Sequence, residues 1–151
     1  MIKNLSIISE AIKNAEIEAE KEFSKQLQLI ETDLIRNAQS GKDFESNAFR
    51  AYADSTKDFR AKQKLQTSPV NLMMTGGMLK AISSEVKNKN QGRIFIKNQT
   101  QRGFKGAPAG NSITKALNVM RLGFNFFGVS EKNLKKLEDA VTKAYLKGAK
   151  K

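Results

Sequence analysis

The sequence predicts an α+β fold, on three observations. An apolar stripe runs at helical spacing through the first forty residues, a β-prone pair of segments flanks a turn between residues 81 and 98, and helical spacing returns in the last twenty residues.

The first element is the clearest. Leu5, Ile8, Ile12, Ala15, Ala19, Phe23, Leu27, Ile30 and Leu34 follow steps of three and four, with no Gly or Pro before Gly41. At ~1.5 Å per residue, thirty-odd residues span about 45–50 Å, more than a compact domain of this size easily covers. Part of the stripe, with Leu5, Ile8, Ile12, Phe23 and Leu27 as its anchors, is therefore a candidate subunit interface, and a plain core helix is the alternative.

Phe44, Ala48, Tyr52, Ser55 and Phe59 predict a second helix over about 44–64, with Asp43 as N-cap. "SPVNL" reads as a loop. In "TGGML", Thr75 can cap a short turn, Gly76 and Gly77 permit a bend, and Met78, Leu79 and Ile82 anchor it. Residues 81–87 and "RIFIKN" (93–98) form a predicted hairpin around "NKNQG". Residues 99–111 are Gly-rich and basic, and read as a loop. Ser112 is the expected cap of a helix through Met120, "GFNFF" a short strand or extended segment, and Ser130 the cap of the last helix. That helix carries Val129, Leu134, Leu137, Val141 and Tyr145 as its stripe, with Lys143 and Lys147 near its end, where the helix dipole favours cations.

With 151 residues, the chain is expected to form a single domain over 1–151: a long amphipathic helix at 1–40 and a basic α+β body at 41–151 that ends in the last helix. A domain of that size buries roughly 70% of its unfolded surface and folds without disulfide or metal. There is no Cys and no His, which removes thiolate chemistry, the commonest metal ligand and the usual general base. The Gly-rich stretches match neither a P-loop nor a dinucleotide fingerprint. No catalytic residue, metal ligand or cofactor is expected, and the chain reads as a non-enzyme. Its opening is unlike a signal peptide, and no stretch reaches the ~20 apolar residues of a membrane span, so no membrane partner is expected.

The formal charge is +12, and it is unevenly placed. Residues 1–40 hold five Lys/Arg against seven Asp/Glu, and residues 41–151 hold 22 against eight. A body of net +14 points to a polyanion nearby, with nucleic acid the first candidate. The strongest local feature is the basic hairpin and loop: Lys87, Lys89, Arg93, Lys97, Arg102 and Lys105, interleaved with Phe95 and Phe104. No RNP-like or helix-turn-helix pattern accompanies it, so base-specific reading is not expected.

Three blocks, in this order, resemble the tailed-phage virion morphogenesis family, the tail completion and head–tail joining proteins. The first is "FRAYADSTKDFRAK" (49–62). The second is "SPVNLMMTGGMLKAI" (68–82), where Val70, Leu72, Thr75, Gly76, Met78, Leu79 and Ile82 match and Ala81 stands where Ser is usual. The third is "FNFFGVSEKNLKKL", where Phe126, Phe127, Gly128, Val129 and Ser130 match and Asn125 and Leu137 are variants. A His-Asn-x-Gly segment common in the family is absent.

The resemblance implies a virion protein of the neck, assembled in the host cytoplasm and acting without cofactor. It would form a homo-oligomeric ring of about six or twelve copies, between portal or adaptor proteins and the tail tube or tail terminator. Contact with genomic DNA would be non-specific, and the basic hairpin and loop would face either the DNA channel or a partner ring. The alternative reading is a small basic protein that binds nucleic acid without sequence preference.

Overall fold

The structure is a computed structural model describing residues 2–72, 76–89, 91–101 and 110–150, with side chains from residue 6 onward except at position 101. The fold is α+β. In chain order it has α1 (Ile2–Gln39), α2 (Asp54–Lys62), α3 (Gly77–Lys80), β1 (Ile82–Asn88), β2 (Gln91–Ile96), β3 (Thr100–Gln101), β4 (Gly110–Asn111), α4 (Ser112–Arg121) and α5 (Glu131–Gly148). β1 pairs with β2 as a hairpin, and β3 pairs antiparallel with β4, Thr100 opposite Asn111 and Gln101 opposite Gly110. The chain groups into two compact units, one made of 1–30, 84–94 and 131–151, the other of 31–83 and 95–130.

The first unit is lean. Of its apolar side chains, Ala15, Leu27 and Ile30 are buried. Gly92 of β2 sits against Leu27 and Phe23, which lays the hairpin on that part of α1. α5 meets α1 at Gly148, where an added Cβ would stand 2.7 Å from the Ala15 Cα and 2.7 Å from the Asn14 carbonyl oxygen. Two small residues allow the backbones this approach, and no side chain could turn aside to relieve a larger pair.

The second unit holds most of the core: Leu34, Ala38, Val70, Met78, Leu79, Ala81, Ile82, Ala116, Phe124 and Phe126. α1 ends as expected. Gly41 takes φ +81°, while the Lys42 amide donates to the Asn37 carbonyl at 2.8 Å.

The second helix is shorter than the spacing predicts. Helix begins only at Asp54, and residues 44–53 are irregular. Asp43 is the cause. Its carboxylate accepts from the Glu45 amide at 3.0 Å and the Asn47 amide at 2.8 Å, which closes a tight loop instead of capping a helix. The loop is sealed by the Phe49 amide donating to the Gly41 carbonyl at 2.7 Å.

The other corrections are smaller. Asn111, not Ser112, caps α4, its side chain accepting from the Ile113 amide at 2.7 Å. The Ser112 hydroxyl is buried and committed elsewhere: it accepts from the Gln99 amide at 3.0 Å and donates to the Lys97 carbonyl. The Gly-rich 99–111 segment is closed at its base by the β3–β4 pairing, which its composition did not announce. "GFNFF" is irregular and unpaired in any sheet among the described residues: Gly123 takes φ +81° and the Phe126 amide donates to the Phe124 carbonyl at 2.9 Å. α5 starts directly after Ser130, as expected.

Candidate interaction surfaces

The first two blocks of the family resemblance and residues 124–130 of the third lie in the second unit. Phe124, from the third, stands edge-on to Phe49 at 5.6 Å between ring centroids and 6.1 Å from Tyr52, both from the first. The Arg50 guanidinium lies over the Phe124 ring at 5.4 Å and donates to the Leu122 carbonyl. Tyr52 donates to the carbonyl of Asn71, which belongs to the second block.

Arg60, almost wholly buried, stacks on the Tyr52 ring at 4.8 Å and donates to the Gln66 carbonyl and the Asn71 side chain, each at 2.7 Å. Burial raises the Tyr52 phenol above its ordinary value, against the opposing pull of Arg60 and of the bond to Asn71. These groups face one another, and their chemistry is that of a scaffold.

The motif residues divide the same way. Met78, Leu79 and Phe126 are buried, and Phe127 is half-buried against Phe126. Gly76 takes φ +71° as N-cap of α3. Gly123, ahead of the motif's Gly128, takes the positive φ, +81°. Gly128 serves by leaving room, since a Cβ would stand 2.9 Å from the Phe44 ring. Thr75 lies outside the described residues.

The basic hairpin is less free than its sequence implies. Lys89 pairs with Glu16 of α1 at 2.5 Å, and Arg93 pairs with Glu85 across the hairpin at 2.7 Å. The hydrogen bond to Glu16, followed by their mutual attraction, holds the Lys89 ammonium above its ordinary value. Lys87 and Lys97 are exposed, and Phe95 is half-buried. Arg102, Phe104 and Lys105 lie outside the described residues.

The α1 stripe is buried only in part. Leu27 is buried, Phe23 half-buried, and Leu34 and Ala38 continue the buried face. Towards the N-terminus the same stripe emerges, with Ile8 56% and Ile12 48% exposed, and Ile7 beside them at 64%. The Leu5 side chain lies outside the described residues. The expected α5 stripe is likewise divided: Leu137 and Val141 are half-buried, whereas Leu134 and Tyr145 are exposed.

A feature the sequence reading passed over is the cationic side of α5. Lys132, Lys135, Lys136, Lys143 and Lys147 are all exposed, and among the described residues none forms an ion pair. The signal was present in the spacing, since Lys132, Lys136, Lys143 and Lys147 recur at helical intervals.

Among the described residues no helix is long and apolar enough to cross a membrane, and no cluster of carboxylates could hold a metal ion. Comparison of the chain with family models, with curated proteins and with solved structures finds no match.

Proposed function

We propose that this chain is a structural subunit of a phage neck or tail completion ring, joining the DNA-filled capsid to the tail. It works by assembly, with portal or adaptor proteins on one face and the tail tube or terminator on the other. The observation that carries the reading is the emergence of the α1 stripe. Ile8 and Ile12 continue the line of Ala15, Leu27 and Leu34 but are about half exposed among the described residues, 56% and 48%, and Ile7 widens the exposed apolar surface. Three isoleucines grouped at one end of a helix fit cover by a neighbouring copy, which a head-to-tail ring would provide. The packing of the blocks around Tyr52, which lies beside Phe124 and donates to the Asn71 carbonyl, adds support.

The variant Ile8→Ser with Ile12→Ser tests the interface. Its helix content by circular dichroism should match the parent, and its mass by light scattering should fall to that of one copy. An unchanged assembly would place the interface elsewhere and remove this support.

The alternative, a small basic protein that binds nucleic acid without forming a ring, draws on the net +14 of residues 41–151. Oligomeric mass separates the two.

A further inference from the structure

The two long helices treat their charges differently. On α1, Lys21 pairs with Glu18, Lys25 with Glu22 and Arg36 with Asp33, each three residues apart, as a solvated helix surface usually does. On α5, Glu138 and Asp139 lie within three or four positions of Lys135, and Asp139 of Lys136 and Lys143, yet none of these pairs forms among the described residues. Residues 131–151 carry seven Lys against three Asp/Glu.

The lysines are also aligned. At 100° per residue, Lys132, Lys136, Lys143 and Lys147 fall within an arc of about 60°, with Lys135 at the margin. Along the axis they run for about 22 Å, with neighbours in each close pair about 6 Å apart. Asp139 is the one carboxylate on that ridge. Leu137, Val141 and Ala144 are half-buried on another side of the helix, and Gly148 is packed on Ala15.

We infer that the lysine ridge of α5 is the surface by which this protein holds duplex DNA, through the phosphate backbone and without reading bases. The partner is chosen by chemistry. A straight row of unpaired ammonium groups matches a rod of regularly spaced phosphates, and each lysine engaged releases condensed counterions. A bilayer is a poorer match, because the apolar side of α5 is partly packed at Leu137, Val141, Ala144 and Gly148, which leaves Leu134 and Tyr145 as its exposed apolar groups there, a small area to enter lipid. The hairpin is a poor match too, since Lys89 and Arg93 are held by Glu16 and Glu85. This inference deepens the neck reading by naming the face turned to the genome, but it stands apart from it. A monomer that binds DNA through α5 would leave the ridge standing and remove the ring, and a ring without DNA affinity would do the reverse.

The test titrates the full chain against a fluorescent random-sequence duplex at several salt concentrations. Two variants are compared with the parent: Lys132→Gln, Lys136→Gln, Lys143→Gln and Lys147→Gln together, and Lys87→Gln with Lys97→Gln. The parent should bind with log affinity falling linearly against log salt. The α5 variant should bind at least about tenfold more weakly, its slope shallower by about 0.9 for each lysine engaged, while the hairpin variant keeps the parent's slope. Thermal melts of both variants check that they remain folded. A parent that does not bind, an α5 variant with the parent's slope, a larger loss in the hairpin variant, or tighter binding to phosphatidylserine vesicles than to the duplex would each overturn the inference.

Discussion

Phe124, Tyr52 and Arg60 show how single side chains in the second unit serve the scaffold. A buried guanidinium needs its donors satisfied, and Arg60 finds the Gln66 carbonyl, the Asn71 side chain and the Tyr52 ring face. Tyr52 is thereby held where burial disfavours its charged form. Its folded pKa lies above the ordinary value of 10.0, so its contribution to stability is intact below that value and is lost as pH rises through the folded one. In a Tyr145→Phe variant, where Tyr52 is the sole tyrosine, the ultraviolet absorbance of the phenolate should titrate with a midpoint above 10.0. A midpoint at or below that value would contradict the packing described.

Residue roles were legible from sequence only where the backbone decides them. Gly41 at the end of α1 is such a case. Gly128 was not, because its role depends on the Phe44 ring brought from a distant loop. Nor was the hairpin's neutralisation: Lys89 and Glu16 are 73 positions apart, and nothing local announces that they meet.

Among the elements, those with many periodic positions were legible: α1, the β1–β2 hairpin and α5. The 44–53 segment was not. Its apolar spacing mimics a helix, but the Asp43 carboxylate offers nearby amides a better local bond, and Phe49 and Tyr52 are fixed by Phe124. The Gly148 crossing supplies the element-scale test. Alanine in place of glycine within a helix normally stabilises it. Here the new Cβ would press on the Ala15 backbone, so Gly148→Ala should lower the unfolding midpoint, at a cost of about 1–3 kcal/mol by chemical denaturation. A midpoint that is unchanged or raised would mean that α5 does not approach α1 as closely as described.

At the scale of the whole molecule, the chain joins a lean first unit to an aromatic-rich second one, and two surfaces find no partner among the described residues. The isoleucines at the start of α1 call for apolar cover, and the lysines of α5 call for an anion. The proposed ring would account for the first with another copy, and the proposed DNA contact for the second. The candidate site was half legible for this reason: charge and periodicity are properties of sequence, but which charges remain unpaired is a property of the fold. The mass of the assembled chain tests the central claim most directly. Native mass spectrometry of the full-length protein should give a closed assembly of about six or twelve copies. A single copy at every concentration would contradict the ring, and with it the proposed place at the joint between capsid and tail.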